Sequence, residues 1–126
     1  MKQRIEVEQL LELTGEQKER LRELWEPQKG DWYYYIKIKH SSIIHDSDSM
    51  SIGLYKNHKE DYLPLLSIGQ MIELLEEKKM VTESLDIKAP KGLINTYSVW
   101  YGNGDFPKKY ESKELCDALW QAVKEV

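Results

Sequence analysis

One cysteine in 126 residues, Cys116, leaves this chain without an internal disulfide, so nothing in it marks an oxidising compartment and a reducing cytoplasm is the expected location. Long apolar runs are also missing. The opening MKQRIEVEQLLEL is interrupted by charges, which excludes a signal-peptide core, and no later stretch is long and apolar enough to cross a bilayer. No membrane partner is expected. An excess of basic residues is absent too: the net charge is −4, which argues against bulk binding to nucleic acid while leaving room for a local basic patch. The common catalytic signatures are missing as well. There is no Gly-rich phosphate loop, G-x-S-x-G elbow, H-E-x-x-H helix or paired-cysteine metal motif, so the chain reads as a non-enzyme with no catalytic residues, no cofactor and no metal site.

The clearest element present is LPLLSIGQMIELLEEKK, residues 63–79. Ile68, Met71, Ile72 and Leu75 fall at i, i+3, i+4 and i+7, one apolar stripe on a helix. Ser67 and Gln70 form a capping-box pair at its start. Upstream, Glu6 to Leu13 and Thr14 to Trp25 carry the same spacing, with Thr14 and Gln17 as a second capping box, and predict two short helices. Pro27 and Gly30 end the second.

The period then changes. DWYYYIKIKH, from Asp31 to His40, alternates as a strand, with Trp32, Tyr34, Ile36 and Ile38 inward and Tyr33, Tyr35, Lys37 and Lys39 outward. Ser41 to Ser49 reads as a loop leading to a weaker strand at Met50 to Tyr55. A charged connection follows, Lys56 to Tyr62. Strands are predicted again at Ser84 to Ala89 and at 94–101, the latter ending in the Gly102-Asn103-Gly104 turn. Ser112 is placed as the cap of a terminal helix over Lys113 to Val126, whose apolar residues Leu115, Cys116, Ala118, Leu119, Trp120, Ala122, Val123 and Val126 cover a wide arc. The whole predicts a single α+β domain spanning residues 1–126: two short N-terminal helices, then an antiparallel sheet of about four strands covered by the central and C-terminal helices. The breadth of the terminal stripe further predicts a homo-oligomer, most simply a dimer, with Trp120 at the interface.

For function, the isolated candidates are weak. Cys116 sits in an apolar helical pattern and reads as a core thiol. His45, Asp46 and Asp48 bring three possible ligands together but lack the rest of a calcium loop, so a solvated turn is the stronger reading. His40 and His58 have no orienting partner close in sequence. A more suggestive set combines rings and cations: Tyr33, Tyr35, Lys37 and Lys39 on one strand, with Trp100, Tyr101, Asn103, Lys108 and Lys109 around the end of another. Stacking surfaces beside ammonium groups are what a nucleotide ligand requires. The alternative is that the rings simply pack while the lysines are solvated edge charges.

In the second half, YLPLLSIGQMIELLEE, TYSVWYGNG and KKYESKELCDALWQAVKEV together resemble the phage ABA-sandwich proteins over roughly residues 62–126. The resemblance implies a phage or prophage accessory protein acting in the host cytoplasm. On that footing the expected role is an anti-defence sponge that binds a host nucleotide signal, such as a cyclic nucleotide or a cyclic ADP-ribose species. The alternatives are an inhibitor docking directly on a host protein such as a defence nuclease, and a structural or regulatory phage protein.

Overall fold

In the computed structural model, the described residues are 1–45, 53, 55–79, 83–103 and 105–126. They are α+β and group into two compact units, Glu6–Leu66 and Met1–Ile5 with Ser67–Val126. In place of one four-stranded sheet there are two antiparallel sheets of three strands each.

The first unit opens with helices α1 (Val7–Leu11) and α2 (Gly15–Leu24). The Thr14/Gln17 capping box forms as predicted, satisfying amide groups that the first helical turn leaves without partners. The other end of α2 is closed by a residue far away in sequence. The Lys59 ammonium donates to the carbonyl oxygens of Arg22 at 2.9 Å and Trp25 at 2.7 Å, a cation where the helix dipole is negative. Trp25 is buried, and its indole donates to Asp31.

The sheet of this unit has the order β2-β1-β3. Its strands are β1 (Trp32–Tyr35), β2 (His40–Ile43) and β3 (Tyr62–Pro64). The predicted ten-residue strand is therefore cut to four residues. After Tyr35 the chain turns through residues 36–39 and pairs back, with Tyr35 opposite His40 and Trp32 opposite Ile43. Lys39 takes a left-handed φ of 51°, which ends the alternation. Tyr34 is buried as expected, but Ile38 lies on the turn at 64 % exposure rather than in the core. The stretch beginning at Ser41, read as a loop, starts as the second strand. The strand predicted at Met50 to Tyr55 falls mostly outside the described residues, and Tyr55 itself is helical. The third strand lies where the sequence predicts the end of a charged connection and the start of the 63–79 stretch. It follows a 3-10 turn at Lys59–Asp61.

The second unit contains α3 (Ile68–Lys78), β4 (Glu83–Lys88), β5 (Tyr97–Asn103), β6 (Lys108–Ser112) and α4 (Leu115–Val123). The Ser67/Gln70 capping box is present. Helix α3 buries Met71, Leu74 and Leu75, while Ile68 and Ile72 are half-buried, so its inward stripe is turned slightly toward Leu74. Helix α4 lies on β5 and β6, and α3 packs against α4. The N-terminal residues join this unit: Arg4 bridges to Ser67, the Ile68 amide donates to the Gln3 carbonyl, and the Lys2 ammonium pairs with Asp117 at 2.7 Å. Ser112 does not cap the last helix. Glu114 holds that position, and the Ser112 hydroxyl accepts from its amide.

Trp120, expected at a subunit contact, is 3 % exposed within the single chain. Cys116, Ala118, Leu119, Ala122 and Val123 are buried with it. The wide apolar arc of α4 is thus consumed by one chain, because a helix lying on a sheet and under a second helix is covered on two sides. It needs no second copy.

Candidate functional site

The sheet period decides which of the nine candidate side chains meet. On β5, Tyr97, Val99 and Tyr101 point one way and Ser98, Trp100 and Gly102 the other. Val99 is fully buried, so the first set faces the core and Trp100 lies on the outer face. Tyr101 and Lys108, directly paired, are therefore on the opposite side of the sheet from Trp100 and Lys109, the next pair along. The predicted set does not converge.

Trp100 holds the centre of the outer face. The Lys109 ammonium lies 5.2 Å from its ring centroid and that of Lys88, from the other flanking strand, lies 6.0 Å away. Both distances are within the range at which an ammonium is attracted to the ring quadrupole. Lys88 was not among the predicted site residues. Its outward direction is readable from the alternation of β4, but its position beside Trp100 depends on the β4–β5 register, with Asp86 opposite Trp100 and Lys88 opposite Ser98, which no local pattern encodes. Each lysine also has a carboxylate two residues away on its own strand, Lys88 with Asp86 at 3.9 Å and Lys109 with Glu111. The face is thus an indole with two cations and two anions around it. The Trp100 Nε1 is buried without a hydrogen-bond partner among the described residues, so one donor of this group is unspent.

On the core side, Tyr101 is half-buried, and burial first, then the carboxylates of Glu83 and Glu76, raise its pKa. Lys108 is held by both carboxylate oxygens of Glu125, at 2.8 and 2.9 Å, and the buried Tyr110 hydroxyl donates to the same group. Burial, followed by that hydrogen bond, pushes the Tyr110 phenol strongly up. The Lys108 and Tyr110 hydrogen bonds hold Glu125 below the usual carboxylate range. This is a structural lock on the chain end rather than a binding group. Asn103 shapes the following turn, its side-chain oxygen accepting from the Asp105 amide.

In the other unit, Tyr33 and Tyr35 belong to a cluster of four tyrosines. Tyr35 stacks on Tyr62 at 4.8 Å and 15°, and Tyr33, Tyr55 and Tyr62 meet one another at 4.9 to 5.4 Å. Rings at these separations touch, so no base fits between them. All four are half-buried. Lys37 is turned to Asp61 at 3.4 Å, and that hydrogen bond is the first cause of its raised pKa. Lys39 is exposed on the hairpin turn.

Among the histidines, His45 is exposed, and its proposed companions Asp46 and Asp48 lie outside the described residues. His58, expected to be isolated, instead has its Nδ1 3.9 Å from Glu60. No protein-family model, no curated protein and no solved structure matches the chain.

Proposed function

We propose that this protein is a non-enzymatic binder of a phosphorylated nucleotide, held on the outer face of β4–β6. The observation that carries the reading is Trp100 between two strands that each bring a lysine to its ring, 5.2 and 6.0 Å from the centroid. A base would stack on the half-exposed indole, and Lys88 and Lys109 would exchange their carboxylate partners for phosphate oxygens. Stacking contributes about 1 to 3 kcal/mol per base, and a charge-assisted hydrogen bond about 1.5 to 3 kcal/mol. One ring and two lysines therefore sum to about 4 to 9 kcal/mol before an association cost of at least about 4 kcal/mol, which puts a single open face no tighter than the sub-millimolar range. A twofold dimer closing two such faces on one ligand would raise that ceiling. With the phage origin that the resemblance implies, the ligand is a host nucleotide signal and the role is sequestration, the molecule being released intact.

The test is calorimetric titration of cyclic dinucleotides, cyclic trinucleotides and cyclic ADP-ribose isomers into the full chain, alongside Trp100→Ala. Heat from one ligand, lost in the variant, with that ligand recovered unchanged after denaturation, is the expected result. No binding across the panel would overturn it.

A second reading rests on the four half-buried tyrosines of the first unit. Tyrosine is enriched at protein interfaces, where it presents large contact area with few rotatable bonds. In this reading that face docks directly on a host protein, and Tyr35→Ser with Tyr62→Ser would abolish the complex while Trp100→Ala leaves it unchanged.

A further inference from the structure

We propose that His58, Glu60 and Asp61 form a binding site for a divalent transition-metal ion of the zinc class, independent of the Trp100 face. One donor atom from each residue lies within 4.8 Å of the other two. Ligands sharing a tetrahedral zinc at about 2.0 to 2.2 Å stand about 3.4 Å apart, so closure requires the donors to draw together by about an ångström. Exposed side chains do this by rotation, and His58 and Glu60 are both exposed.

What distinguishes the cluster is that the backbone beneath it is tied by hydrogen bonds to neighbouring elements. The 3-10 turn Lys59–Asp61 repeats every three residues, which brings positions 58 and 61 to the same side, and the Asp61 amide donates to the His58 carbonyl at 3.0 Å. Lys59 is drawn inward by the carbonyls of Arg22 and Trp25. The Asp61 carbonyl accepts from the Ile36 amide at 3.0 Å, which ties the turn to the end of β1. The turn is therefore held by hydrogen bonds on both sides, and the three donors lie on it or at its start.

The donor set selects the ion class. One imidazole with two carboxylates suits zinc, cobalt, nickel or manganese, whereas calcium and magnesium take oxygen-only cages. Three protein ligands leave the remaining positions to water. The Lys37 ammonium, 3.4 Å from Asp61, opposes a nearby dication, so affinity is limited by that charge and improves when it is removed.

The experiment is titration of the chelator-treated full chain with Zn2+ by calorimetry at neutral pH and with Co2+ by visible absorption. The expected result is one ion per chain, with affinity reduced at least tenfold in His58→Ala and in Glu60→Gln, unchanged in His45→Ala, and increased in Lys37→Met. Circular dichroism of each variant checks that the fold is retained. Absence of binding at millimolar Zn2+, or binding that survives both His58→Ala and Glu60→Gln, would overturn the proposal.

Discussion

The ionisable side chains of this protein are tuned by their neighbours in ways that translate into pH dependence. Tyr62, Tyr101 and Tyr110 all have raised pKa values, with burial as the first cause in each. A phenol raised in the fold favours the neutral form, so its contribution is fully present below the unfolded tyrosine value of about 10 and is lost as pH climbs through the folded values. Glu125 has the opposite sign. Its carboxyl is lowered by the Lys108 and Tyr110 hydrogen bonds, so its contribution is present above the ordinary glutamate range and is lost as pH falls through the folded value. The melting temperature is expected to decline above about pH 10 and on the acid side, and Glu125→Gln should flatten the acid limb and soften the alkaline one, because the same carboxylate helps to hold the Tyr110 phenol up. A Glu125→Gln profile superimposable on that of the parent through and above the glutamate range would show that the lock on the chain end contributes nothing.

At the scale of elements, helices α1 to α4 were legible, whereas the helical residues around Tyr55 and half of the strands among the described residues were not. Ser67 with Gln70 and Thr14 with Gln17 announce helix starts by local chemistry, and both boxes form. Strands β4 and β5 are visible because their alternation is long enough to register. The missed strands lack a local signal for separate reasons. His40–Ile43 is four residues of mostly polar sequence, Tyr62–Pro64 is three residues ending in proline at a sheet edge, and Lys108–Ser112 is an edge strand rich in charge, the composition that protects edges from aggregation. Each exists only because a partner strand supplies its hydrogen bonds.

These assignments make the element-level expectations specific. Met71→Asp should destabilise by several kcal/mol, since it places a carboxylate in a fully buried site on α3, whereas exposed Lys78→Ala should shift stability by no more than about 0.5 kcal/mol. Ile38→Asp should be similarly mild, because Ile38 sits on the β1–β2 turn at 64 % exposure. Urea denaturation midpoints of the three variants check this, and a large loss for Ile38→Asp would mean that the strand runs past Tyr35 after all.

At the scale of the whole molecule, the net charge of −4 and the balanced face around Trp100 offer a nucleotide no strong attracting field, so the proposed binding would rest on local contacts. Of the nine predicted site residues, the sheet register retains Trp100 and Lys109 on one face and adds Lys88, while Tyr33 and Tyr35 join a tyrosine cluster in the other unit. Ring-and-cation composition was legible. Which groups share a face was not, because it depends on register and on strands invisible in the sequence. Trp120, buried on α4, should cost about 3 to 5 kcal/mol when cut to alanine through loss of the core rather than through a change of molecular mass, which denaturation and light scattering distinguish. The most direct test of the central claim is the nucleotide-panel titration of the parent and Trp100→Ala by calorimetry. The account predicts saturable heat with one nucleotide, abolished by the substitution; equal binding by both proteins, or none by the parent, would contradict it.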